Sequence, residues 1–154
     1  MSSERQYQVA VGLTDGRVLV AGGYYTRTAE IFDPATETWT QTEPLNGFHL
    51  GAAATVDSAG RVLLVGGFDR GVTVVDTVEI FDPAFRSWTL VTGMSRARYG
   101  HGVSRLHDGS VVVTGGTSNV ENWPYPATDE VEIFGLPENL PSPRTPTRRL
   151  IPGG

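Results

Sequence analysis

The chain of 154 residues contains no cysteine and no lysine. Without cysteine there is no disulfide, no zinc–thiolate site, no iron–sulfur cluster and no thiol nucleophile. Without lysine there is no Schiff-base chemistry, and all twelve basic residues are arginine. Positive charge is scarce as well: the formal net charge is −5, the wrong sign for a general nucleic-acid binder. No apolar run approaches the ~20 residues of a membrane span. The first seven residues, Met1 to Tyr7, lack the apolar core of a signal peptide, which sets the expectation of a cytoplasmic protein. Helical periodicity is missing throughout. Glycine (19) and proline (10) are abundant instead, beside 39% hydrophobic residues. Such a composition points to short strands and tight turns around a core of ordinary size.

One unit occurs three times. Its first piece is an apolar strand, a turn, a second apolar strand and a glycine pair, over residues Tyr7–Gly23, Gly51–Gly67 and Gly100–Gly116. The three copies align without a gap, with Gly16, Gly60 and Gly109 at one position. The second piece opens on Glu-Ile-Phe at Glu30, Glu79 and Glu132. Glycine pairs lie 44 and 49 residues apart and the Glu-Ile-Phe triplets 49 and 53 apart, so the length variation is confined to the connection between the pieces. A period of this size is that of a four-stranded antiparallel blade.

Turn chemistry places the strands. Strand a ends at Asp15-Gly16, Ala59-Gly60 or Asp108-Gly109, where glycine supplies the positive φ of a tight hairpin. Strand b, such as Val62–Val65, is apolar at consecutive positions, as in a strand covered on both faces. The pairs Gly22-Gly23, Gly66-Gly67 and Gly115-Gly116 then allow close backbone approach. Strand c carries Glu-Ile-Phe and ends at Asp33-Pro34 or Asp82-Pro83, a turn start. Trp39 and Trp88, six residues past those aspartates, are expected to enter strand d and pack between blades. The fold class is all-β.

In their order, Gly-Gly, Glu-Ile-Phe-Asp-Pro with a tryptophan six residues beyond the aspartate, and Arg96-Ala97-Arg98-Tyr99-Gly100-His101 resemble the kelch repeat. The flavour is that of bacterial kelch and galactose-oxidase-like β-propellers. The resemblance implies a partial ring of about three blades, over residues 5–46, 47–95 and 96–135. The third unit has Gly135 in place of the turn aspartate and no tryptophan six positions on. Residues 136–154 are proline-rich and read as a disordered tail. Leaving even four apolar side chains in water on each outer blade would forfeit about 1.5–3 kcal/mol apiece, which rivals a domain's total of roughly 5–15 kcal/mol. Three outcomes follow: self-association that closes a ring, docking on another propeller part, or a truncated piece of a longer product.

In a four-stranded meander the d–a and b–c connections share one face. Two residues before each strand-a unit stand Arg5, His49 and Arg98, cations or ionisable groups at one repeat position. In peptide-binding kelch propellers, arginines matching Arg98 line the channel mouth, so the resemblance implies an acidic ligand gripped by Arg98, His49, Arg5 and the neighbouring Arg96. The alternative is that these side chains bond backbone carbonyls between blades. Trp123 and Tyr125, in the longest b–c connection, suit stacking on a sugar or a partner surface, or else pin a loop between Pro124 and Pro126. His101 reads as a structural histidine bonded to backbone.

The copper-radical oxidase of the galactose-oxidase family needs a tyrosine–cysteine crosslink and histidine ligands, so the absence of cysteine excludes it. The Glu-x-x-x-Asp-x-x-x-His run of iron-dependent kelch proteins does not occur either. No catalytic residue, metal or cofactor is expected. The expected function is a non-enzymatic kelch module for a protein or acidic peptide. The alternatives are a carbohydrate-related propeller piece and a structural fragment without autonomous activity.

Overall fold

The computed structural model describes residues 1–70, 73–119, 126–135 and 147–151. The described residues hold no helix; they form three four-stranded antiparallel sheets and one small hairpin. The first sheet runs in simple meander order: β1 (Val9–Gly12), β2 (Val18–Ala21), β3 (Ala29–Asp33) and β4 (Thr38–Gln41). The second contains β5 (Ala53–Val56), β6 (Val62–Val65), β9 (Val78–Asp82) and β10 (Ser87–Val91). Between β6 and β9 the chain makes a two-stranded excursion, β7 (Phe68–Asp69) and β8 (Thr73–Val74). The third sheet comprises β11 (Gly102–Arg105), β12 (Val111–Thr114), β13 (Val131–Gly135) and β14 (Thr147–Ile151).

The sequence reading needs correction at β14. Part of the expected disordered tail, Thr147–Ile151, is the fourth strand of the third sheet, paired with β13 from Val131↔Ile151 to Gly135↔Thr147. The prolines nearest to it, Pro146 and Pro152, stand just outside that window. No ladder N–H is therefore lost, and Thr-Arg-Arg-Leu-Ile contains threonine and isoleucine, which favour strands. Residues 136–146 and 152–154 lie outside the described residues.

The sheets stack face to face, and their first strands approach one another, β1 beside β5 and β5 beside β11. One core cluster joins the first and second sheets through Leu19, Ile31, Leu64 and Phe81. A second joins the second and third through Leu63, Ile80, Val113 and Phe134. Among the described residues, only those of the middle sheet are covered on both sides. All four residues of its β6 are accordingly buried, whereas β12 alternates between buried and more exposed.

The same asymmetry separates the two tryptophans. Trp88 is 8% exposed and packs in the first cluster, but Trp39, at the same repeat position, is 37% exposed, with none of the described sheets packed over it. Packing between blades thus holds for Trp88 and is corrected for Trp39. The glycine pairs do permit close approach. Gly66 and Gly67 have φ of 60° and 96°, and a Cβ there would lie 2.6 Å from the Arg98 carbonyl oxygen or 2.7 Å from that of Leu50. No other residue fits both the conformation and the space.

Candidate functional site

The three equivalent residues Arg5, His49 and Arg98 are all turned inward. Each side chain reaches the glutamate of its own Glu-Ile-Phe strand: Arg5 to Glu30 at 3.0 Å, His49 to Glu79 at 3.1 Å and Arg98 to Glu132 at 3.1 Å. His49, Arg98, Glu79 and Glu132 are completely buried. Further donors go to backbone, and Arg98 also pairs with the Glu130 carboxylate at 3.2 Å, while the buried Nε of Arg5 and of Arg98 has no partner among the described residues. Arg98 donates to the carbonyls of Gly115 (2.9 Å) and Glu130 (3.1 Å), and Arg5 to those of Gly22 (3.1 Å) and Thr28 (2.9 Å). His49 bonds the Gly66 carbonyl through Nδ1 at 2.8 Å. Both ring nitrogens of His49 are thus engaged, Nδ1 by the Gly66 carbonyl and Nε2 by Glu79.

The glutamates also hold the chain where it crosses from one sheet to the next. Glu79 accepts hydrogen bonds from Asn46 N and Nδ2, both at 2.9 Å, and from Gly47 N at 2.8 Å. Glu132 accepts from Ser95 N at 2.8 Å and Ser95 Oγ at 2.7 Å, and Glu30 from Ser2 N at 2.9 Å. Burial acts to raise the Glu79 carboxyl, but hydrogen bonds from His49, Asn46 and Gly47 outweigh it and hold it below its ordinary value. Each unit is thus a basic side chain, a carboxylate and a linker backbone locked together. Removing one member of such a buried pair leaves an unpaired charge, at a cost of about 3–5 kcal/mol.

For Arg5, His49 and Arg98 the sequence expectation of ligand contact is therefore corrected: all three side chains are turned onto glutamates inside the fold. Arg98 and Arg5 do bond backbone carbonyls, as the alternative expected, but those of their own unit rather than between blades. Arg96 differs. It is exposed and forms a 3.4 Å ion pair with Glu130. Trp123 and Tyr125 lie outside the described residues. His101 bonds the Val65 carbonyl of the neighbouring sheet at 3.2 Å. Desolvation is the main cause that depresses its pKa to about 4, so the ring is neutral near pH 7, and Nε2 carries the donated proton.

A different pair of arginines faces solvent. A cleft of about 610 Å³ opens on the side of the d–a and b–c connections, between the first and second sheets. Its lining includes Arg27, Asn46, Phe48, Asp69 and Arg70. Both guanidinium groups lie over the Phe48 ring, Arg70 at 5.1 Å and Arg27 at 5.9 Å from its centroid. Arg27 spends one donor on the Asn46 carbonyl at 3.2 Å. Arg70 makes no hydrogen bond or ion pair with a described residue, and Asp69 is the one carboxylate of the lining. A guanidinium over an aromatic face is attracted to the ring and keeps N–H donors for a further partner. Such an arrangement suits a carboxylate or another planar anion.

Sequence reasoning missed these residues, because Arg27, Phe48 and Arg70 occupy no shared repeat position. It also missed the partners of the inward cations, although a signal existed: cation and glutamate recur together in all three units. Among the described residues no three His, Cys, Asp or Glu side chains converge to hold a metal ion, and no helix is long and apolar enough to cross a membrane.

Comparison with known proteins adds family and fold. The Kelch motif model matches residues 7–46 and 51–95, together more than half of the chain. No curated protein matches. Among solved structures, the one titled "Structure of YjhT" is similar with a TM-score of 0.78 at 14% identity, over 99% of this chain. The chain spans 53% of the length of that structure's chain. At that identity the likeness concerns the fold alone.

Proposed function

Since the chain belongs to the kelch-motif family, we propose that it serves as a non-enzymatic interaction module that takes an acidic segment of a partner protein on the face of its d–a and b–c connections. The observation that carries this reading is the Arg27–Phe48–Arg70 cluster. It puts two exposed guanidinium groups on one ring at the edge of a cleft large enough for several side chains. By contrast, the repeat residues Arg5, His49 and Arg98 are turned onto glutamates inside the sheets.

The mechanism is ionic recognition with geometric selection. A carboxylate entering the cleft meets the N–H edge of Arg70 and the remaining donors of Arg27. Phe48 attracts both guanidinium groups while Asp69 disfavours a second negative charge on its own side. A charge-assisted hydrogen bond contributes about 1.5–3 kcal/mol, so one lost contact weakens binding roughly 10- to 150-fold. The test is fluorescence polarisation of labelled Asp/Glu-rich peptides against the native chain and Arg70→Ala, with the corresponding Asn/Gln peptides as controls. Charge-dependent binding that Arg70→Ala weakens tenfold or more supports the proposal. Equal binding of acidic and amide peptides, or an undisturbed affinity in Arg70→Ala, refutes it.

A further inference from the structure

The two outer faces of the sheet stack are not alike, and each matches what the other lacks. In the middle sheet, Val62, Phe81 and Trp88 are cross-strand partners in one row and pack against the first sheet at 1%, 0% and 8% exposure. The corresponding row of the first sheet is Val18, Phe32 and Trp39. Its aromatic pair has nearly the same geometry, with centroids 5.0 Å apart against 4.9 Å for Phe81 and Trp88. Yet Val18 and Phe32 are only half-buried and Trp39 is exposed.

At the other end the complementary row is uncovered. Leu19 and Ile31 of the first sheet are 1% and 2% exposed against the second sheet, and Leu63 and Ile80 are buried likewise against the third. Their equivalents in the third sheet, Val112 and Ile133, are only half-buried.

The turns repeat the pattern. A Cβ on Gly60 would lie 3.9 Å from Thr14 Cβ of the first sheet, and one on Gly109 would lie 3.8 Å from Ser58 Cβ of the second. The equivalent Gly16 meets nothing within 4 Å. In the same way Gly22 and Gly66 approach the carbonyl oxygens of His49 and Arg98, while Gly115 meets only its own unit's Thr128.

We propose that the Val18–Phe32–Trp39 face is a docking surface for the third sheet of a second copy of this chain, and that two copies close head to tail into a six-bladed ring. Each junction then repeats the contact already made twice within one chain, so no new interface chemistry is needed. Such heterologous contacts form a closed assembly when the rotation closes. Three sheets doubled give six, inside the usual range for propellers of 4–8 blades.

The junction predicts a crosslink. By repeat equivalence, position 107 of one copy faces position 16 of the other at the Cβ spacing seen within the chain, 3.8–3.9 Å, which suits a disulfide. The chain has no cysteine, so Gly16→Cys/His107→Cys reports that contact alone. Thr14→Cys/Gly60→Cys is the intramolecular control. Light scattering of the unmodified chain should give twice the 16.6 kDa chain mass. Oxidised Gly16→Cys/His107→Cys should run as a covalent dimer with no higher ladder. Trp39→Glu should raise the dimer dissociation constant more than about tenfold, while Phe85→Ser, at the 80% exposed tip of a c–d turn, leaves it unchanged. A folded monomer, an open ladder of crosslinked species, or a chain that folds only when other blades are supplied overturns the proposal.

Discussion

Replacing Glu79 by glutamine tests the structural role of the buried charge clusters. The carboxylate accepts four hydrogen bonds: His49 Nε2 and Gly47 N on Oε1, Asn46 N and Asn46 Nδ2 on Oε2. Glutamine keeps one acceptor oxygen and presents an amide N–H₂ in place of the other. Whichever way the amide turns, two donors lose their acceptor and face further N–H groups. At about 1.5–3 kcal/mol per charge-assisted bond, and with His49 left buried beside a neutral group, the loss is about 3–5 kcal/mol. Against a total of roughly 5–15 kcal/mol for a domain, that is a large share. For a chain of this size it lowers the melting temperature by about 6–20 °C. Chemical denaturation at neutral pH measures it, with Asp15→Asn as control, because the exposed pair of Asp15 with Arg17 contributes at most about 1 kcal/mol. A loss under about 1 kcal/mol for Glu79→Gln would show that the carboxylate does not hold the linker, and the reasoning would fail.

Three further outcomes follow from the same geometry. Stability should fall with acid: His101 has a folded pKa of about 4 against an ordinary 6.5. The unfolded chain therefore takes up a proton that the folded one refuses, the stabilisation is complete above about pH 6.5, and it drains away as pH falls toward 4. The full effect is about 3 kcal/mol, the lowered carboxyls of Glu79 and Glu30 add to the acid loss at lower pH, and His101→Gln should flatten the profile in pH-dependent denaturation. His49→Arg, which installs the residue used at this place by the other two units, should cost under about 1.5 kcal/mol, whereas His49→Ala should cost about 3 kcal/mol, both read from denaturation midpoints. Gly66→Ala should destabilise by about 2 kcal/mol or more, since its φ is 60° and the new methyl would meet the Arg98 carbonyl at 2.6 Å; a smaller thermal shift would mean the backbone relaxes there.

Much of this fold is legible in the residues because it repeats. Gapless alignment of the strand a–b units, the glycine pairs and Glu-Ile-Phe identify eleven strands and their pairing order without reference to tertiary contacts. β14 escaped because its proline-rich approach hides a proline-free window of five residues, and because it lacks the tryptophan that marks β4 and β10. The hairpin of β7 and β8 escaped because it lies in the connection whose length varies. At the site, recurrence located Arg5, His49 and Arg98 but could not say which way they turn. That depends on the carboxylate 25, 30 or 34 residues further on, a distance set by the same variable connection. The arginines of the cleft left no trace in the pattern. Arg27 and Arg70 come from connections of different length and meet only through Phe48.

Arg5, His49 and Arg98 therefore hold the fold, and Arg27 and Arg70 face outward. One titration separates these roles most directly: an Asp/Glu-rich peptide against Arg70→Ala and Arg98→Lys, both checked for native circular dichroism. Weakening of about tenfold or more in Arg70→Ala, with Arg98→Lys binding as the native chain does, is the expected result. Binding that survives Arg70→Ala but is lost in folded Arg98→Lys would contradict it, and would return the ligand to the channel mouth.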